Sequence, residues 1–159
     1  MDGSRFVSYL QEHLAASEAG SKMVSSLRRS KDYDNLGEVM TRFEQQFGEE
    51  QQVLRTAIDR LGGGSAPSIT TQVFGLAGSI VAVARRIVCA EPARSPLEEL
   101  ESLAVGVWAK RLLWGAIARK ASEDPRLADI EIDRLIDMAE SQEIELLRLR
   151  DAELATLAA

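Results

Sequence analysis

The chain has 159 residues, of which 45% are hydrophobic and 28% charged, and its formal net charge is −6. That length fits one domain, 1–159, large enough to bury a core without staples, and the composition is that of a soluble globular protein, expected in the cytoplasm. The acidic balance excludes nucleic acid and anionic membrane surfaces as main partners, because both demand a basic face.

Cys89 is the only cysteine, which excludes an internal disulfide and a cysteine-based zinc site. Its neighbours Ile87 and Val88 predict a buried, inert thiol. MDGSRFVSYL lacks the basic-then-apolar layout of a signal peptide. The most apolar run, VFGLAGSIVAVA (73–84), is too short to span a bilayer.

Turn-forming stretches at SKDYDN (30–35), GGGSAPS (62–68), AEPARSP (90–96) and SEDPR (122–126) separate segments with helical periodicity and almost no strand-like alternation. The first predicted helix covers 4–29, with the stripe Phe6, Leu10, His13, Ser17, Gly20, Val24, Leu27. Its small residues Ala15, Ala16, Ala19 and Gly20 allow close approach of a partner helix. The second covers 36–61 and repeats at threes and fours through Leu36, Met40, Phe43, Phe47, Glu50, Leu54, Ala57 and Leu61, as a bundle seam does. Gly62 is placed to end it.

The third predicted helix runs from Ile69 to Ala90 and carries no acid on its face. The fourth has the clearest start: Ser95 as cap, Pro96 in the first turn, and Glu98 completing a capping box. Its body, 97–121, is apolar on most sides, which predicts a central place and outward-snorkelling Lys110 and Arg111. Tyr9, Trp108 and Trp114 are the bulk expected to fill the space opposite the small residues. The fifth starts at Asp124-Pro125 or at Asp129, and Ile132, Leu135, Ile136, Ala139, Leu146 and Leu149 give its apolar face. The expected fold is all-α, an antiparallel four-helix bundle with one additional helix.

The polar residues on these stripes are the candidate site. Folding the first two helices into a hairpin puts His13 and Glu50 within roughly one turn of each other at about 1.5 Å per residue. Both stand on the seam, where each is costly to bury alone, so a hydrogen-bonded pair fixing helix register is expected. Glu101 is in line with Leu97, Ala104 and Trp108. On the last helix the inward place falls to Gln142 or Glu143, and Glu140 lies one turn away. No nucleophile has an activating neighbour, and GGGS (62–65) lacks the lysine and preceding strand of a phosphate loop. The residues name no catalytic group.

FEQQFGEE (43–50) and EELESLAVG (98–106) resemble the helix patterns FEEHLEE and EHYE…GYG of bacterial stress-associated ferritin-like proteins. Glu44, Glu98, Glu101 and Gly106 match. Gln46 stands where that pattern has histidine, and Leu100 where it has tyrosine. Over most of its length the chain also resembles a family of uncharacterised actinobacterial helical-bundle proteins, through YLQEHLAASEAG (9–20), 97–114 and 124–142.

The first resemblance implies a ferritin-like bundle, side-by-side pairing into a homodimer, and a carboxylate-bridged di-metal centre. Such a centre needs a Glu from two helices and Glu-x-x-His from two more. One histidine cannot supply that set, and amides are poor iron ligands. The reading is therefore a degenerate member with no cofactor, acting as a structural or protein-interaction module rather than an enzyme. The alternative is a divalent-metal binding protein or weak oxidase, holding iron or manganese with His13, Glu50, Glu101 and Glu143 or Glu140.

Overall fold

The computed structural model describes residues 3–29, 36–64 and 95–158. Among them lie four long helices, α1 (Gly3–Arg29), α2 (Leu36–Arg60), α3 (Pro96–Ala121) and α4 (Ile132–Leu157), and one 3-10 turn at Pro125–Leu127. The described residues contain no strand, and the chain is an all-α bundle. The expected helix at 69–90 lies outside the described residues, as does Cys89. No described helix is long and apolar enough to cross a membrane.

Local chemistry sets the helix ends. The Ser95 hydroxyl accepts from the Glu98 N–H at 3.3 Å, and the Glu98 carboxylate accepts from the Ser95 N–H at 3.0 Å. The capping box is thus complete, with Pro96 in the first turn. Ser95→Ala removes the hydroxyl acceptor and should cost about 1 kcal/mol. A shifted urea midpoint with an unchanged m-value would show this; an unmoved midpoint would mean that the cap adds nothing.

At the end of α2, Gly62 takes φ 83°, and the N–H groups of Gly62 and Gly63 return to the carbonyls of Asp59 (3.0 Å) and Ile58 (2.9 Å). This is a Schellman ending, and its left-handed residue favours glycine. Both expected starts of the last helix are used differently. Asp124 caps the 3-10 turn, whereas α4 begins only at Ile132, with no side-chain cap.

The helices pack as two hairpins, α1 on α2 and α3 on α4, joined where α1 meets α3 and α2 meets α4. The remaining pairs, α1 with α4 and α2 with α3, lie on the diagonals. Arg60 at the end of α2 donates to the Arg126 carbonyl and pairs with Asp129, both in the connection after α3. So α2 and α3 run the same way, and α3 starts at the end of the bundle opposite to where α2 stops.

The predicted stripes supply the core: Phe6, Leu10, Val24 and Leu27 of α1; Met40, Phe43, Phe47 and Leu54 of α2; Leu135, Ala139 and Leu146 of α4. Each large apolar side chain moved out of water stabilises the fold by roughly 1.5–3 kcal/mol before entropy is subtracted.

Two seams of α1 differ in kind. Toward α2 it is hydrogen-bonded: Gln51 donates to Ser17 (3.1 Å) and Ser21 (2.8 Å), Glu44 accepts from Ser25 and pairs with Arg28, and Arg55 pairs with Glu18 at 2.8 Å. At Gly20 it is apolar, against Phe47 of α2 and Leu103 of α3. A β-carbon there would sit 3.5 Å from Phe47 and 3.9 Å from Leu103. Trp114 fills the interior, as its bulk suggested. Trp108 does not: it is 50% exposed on the outer side of α3.

Candidate functional site

Midway along the bundle, charge replaces hydrocarbon. The α2 stripe delivers Glu50 between Phe47 and Leu54 and leaves it 1% exposed. On α3 the same spacing runs through Leu103, Val107, Lys110, Trp114 and Ile117, so Lys110 is carried inward and is 8% exposed. Its Nζ donates to Glu50 Oε2 at 2.5 Å and to Gln142 Oε1 at 2.6 Å. Gln142 in turn donates through Nε2 to Gln46 Oε1 at 3.0 Å. The ring of Phe47 lies 4.1 Å from Nζ. A carboxylate, an amide carbonyl and an aromatic face all favour a cation, so the site is built for an ammonium.

Burial pushes the Glu50 carboxyl up and the Lys110 amine down from their ordinary values. Their mutual attraction and hydrogen bond oppose both shifts. A buried pair of this kind adds little net stability, but it penalises any register in which the two partners miss each other.

His13 stands on α1, 7% exposed, edge-on to Tyr9 at 4.6 Å between ring centroids. Burial lowers its pKa to about 4, so the imidazole is neutral at pH 7. The expected hydrogen bond between His13 and Glu50 is not formed. Glu50 Oε2 is taken by Lys110, whose four-carbon arm carries a full charge that a neutral ring lacks. His13 Nε2 and Glu50 Oε1 have no hydrogen-bond partner among the described residues.

The remaining candidates lie elsewhere. Glu101 is not inward: Leu100 and Leu103 take the buried places beside it, and it pairs with Arg150 at 3.0 Å on the exterior. Gln142, not Glu143, faces the core. Glu143 and Glu140 instead accept from Arg111 at 2.7 and 2.8 Å. Arg111 thus reaches outward as expected, whereas the snorkelling expected of Lys110 is overturned. Glu98 serves the α3 cap and Glu44 the α1–α2 seam. Gln46 stays at the edge of the lysine layer. Lys110 occupies a buried stripe position on α3 as Glu50 does on α2, but that segment is apolar on most sides, so the stripe was not marked out in the sequence.

The set does not fit a metal pair. The acids matching the ferritin-like pattern, Glu44, Glu98 and Glu101, are engaged separately at the periphery, and the centre is held by an ammonium. Among the described residues no three His, Cys, Asp or Glu side chains gather closely enough to hold a metal ion.

Next to the layer is a cavity of about 280 Å³ between α1, α2 and α3. His13, Glu50 and Lys110 contribute to its wall, which is otherwise mostly apolar, and Val105 and Trp108 stand at its outer side. No family model, curated protein or solved structure matches the chain.

Proposed function

We propose that the chain is a ferritin-like bundle in which an internal lysine has replaced the di-metal centre, and that it works as a non-enzymatic interaction module. The observation that carries this reading is the Lys110 ammonium, donating to Glu50 and Gln142 at mid-bundle. One cation fixed on a side chain supplies the charge that bridging metal ions would otherwise bring to buried carboxylates. The helix order supports the ferritin-like part. Two hairpins whose second and third helices run parallel need one long connection, which separates such bundles from simple up-down ones.

The partner in this proposal is a second copy of the chain, as the family resemblance implies. Ile144, Leu147 and Leu157 on α4 offer it exposed apolar contacts. The test is elemental analysis of protein purified without chelator, then loaded with iron or manganese and desalted. Only traces of metal should remain. Stoichiometric metal that survives desalting would reject the replacement of the centre. Sedimentation then examines the pairing: a dimer that Leu147→Glu converts to monomer is expected, and a wild-type chain that sediments as a monomer would reject the partner.

A further inference from the structure

Helix α2 stops and α3 starts at opposite ends of the bundle, so residues 65–94 have to travel its length. That length is about 37 Å, for the 25 residues of α2 at 1.5 Å each. The helix that the sequence predicts at 69–90 would be about 33 Å long. It matches one outer face of the bundle and leaves 65–68 and 91–94 to turn at the two ends.

Three of the four outer grooves are crossed by ion pairs. Arg28 with Glu44 and Arg55 with Glu18 cross from α1 to α2. Arg42 with Glu145 and Arg134 with Glu49 cross from α2 to α4. Arg111 with Glu140 and Arg150 with Glu101 cross from α3 to α4. The fourth groove, between α1 and α3, is mostly hydrocarbon. Ala16, Ala19 and Met23 of α1 and Val105, Gly106 and Trp108 of α3 line the cavity on that side. Val105, Trp108 and Leu112, spaced by three and four residues, are each about half exposed. A continuous apolar stripe at the surface marks a contact face.

Composition and connectivity name what covers it. Residues 61–84 contain no Asp, Glu, Lys, Arg or His, and the predicted helix carries the stripe Ile69, Val73, Leu76, Ile80, Val83, Ile87. Such a stripe gains by leaving water for hydrocarbon, and would desolvate charges if laid over any of the other three grooves.

We propose that residues 69–90 dock as a helix in the α1–α3 groove, antiparallel to α3, with Leu76, Ile80 and Val83 level with Leu112, Trp108 and Val105. The register follows from setting the midpoints of the two helices side by side. The groove then belongs to the chain itself, and a second copy is left the α4 face. The metal and sedimentation tests of the module reading do not bear on this docking.

Cysteine pairs in the full chain test it, with Cys89→Ser removing the native thiol. Ile80→Cys, Val83→Cys and Ile87→Cys are each combined with Val105→Cys and mildly oxidised. A disulfide within one chain should form, most fully from Val83→Cys, because the bond needs Cα atoms within about 7 Å. Ile144→Cys on the exterior of α4 should give none with the same three. No cross-link to Val105→Cys, equal cross-linking to Ile144→Cys, or linkage only between chains, the mark of a second copy in the groove, would each overturn the proposal. Trp108 gives a second readout without added thiols. Acrylamide should quench neither tryptophan readily in the wild type, since Trp114 is 1% exposed and Trp108 lies under the segment. The triple change Leu76→Ser, Ile80→Ser, Val83→Ser should red-shift the emission and open one indole to quenching. Free quenching of Trp108 in the wild type, or shielding that disappears on dilution, would count against the segment as occupant.

Discussion

Lys110→Met is expected to lower the stability of the bundle by about 3–5 kcal/mol, well beyond the loss of a helix cap or a neutral hydrogen bond. Most of that loss comes from what the change leaves behind. The Glu50 carboxylate, 1% exposed, would lose its counter-ion and a 2.5 Å hydrogen bond, and Gln142 Oε1 would lose its donor. Glu50→Leu should cost a similar amount by stranding the ammonium. Replacing all three members, Lys110→Met with Glu50→Leu and Gln142→Leu, should recover most of the loss or exceed the starting stability, because no buried charge remains. Urea unfolding of the four proteins checks this. A Lys110→Met protein as stable as the parent would show that the ammonium is not held inside. A triple variant no better than the singles would show that packing, and not charge, dominates the layer.

The second large effect is on pH dependence. His13 titrates at 6.5 when unfolded and at about 4 in the fold, its charged form being disfavoured by burial. Between those values the unfolded chain binds a proton that the folded chain refuses. Stability therefore falls as pH drops through 6.5 and goes on falling to about pH 4, where both states are protonated. The total is roughly 3 kcal/mol at about 1.4 kcal/mol per unit. His13 is the only histidine, so no other imidazole shares this window. Glu50 and Glu12 are shifted upward by burial and act with the opposite sign, favouring the fold as pH falls toward their range. The readout is therefore the difference between wild type and His13→Phe, in which those carboxylates are common to both. The two stability curves should converge on one side of the window and separate steadily across it. Curves that run parallel from neutral pH to pH 4 would mean that His13 is solvated in the fold.

The bundle itself was legible in the sequence because packing energy follows period. On α2 the three-and-four repeat from Leu36 to Ala57 names the buried face residue by residue, and the Ser95–Glu98 box names a helix start. Glu101 and Trp108 were misplaced for one reason. The α3 segment is apolar on most sides, so periodicity does not say which side the neighbours will cover, and Leu100 and Leu103 took the inner places. Lys110 was misread because a long amphipathic arm has two outcomes, snorkelling or burial, and the choice rests on acceptors from other helices. Those acceptors, Glu50 and Gln142, lie 60 and 32 residues away. His13 and Glu50 do share a cavity wall, as their levels along the hairpin suggested. The stronger donor then came from a third helix that a two-helix register does not include.

The unlike seams of α1 have a mechanical consequence. From the inside, α2, α3 and α4 are cross-braced by one ammonium and its chain of amides. Helix α1 contributes a ring to that level; its polar ties described above run to α2, and toward α3 it presents Gly20 to Leu103. The molecule is thus braced from within across α2, α3 and α4, and α1 stands outside that brace.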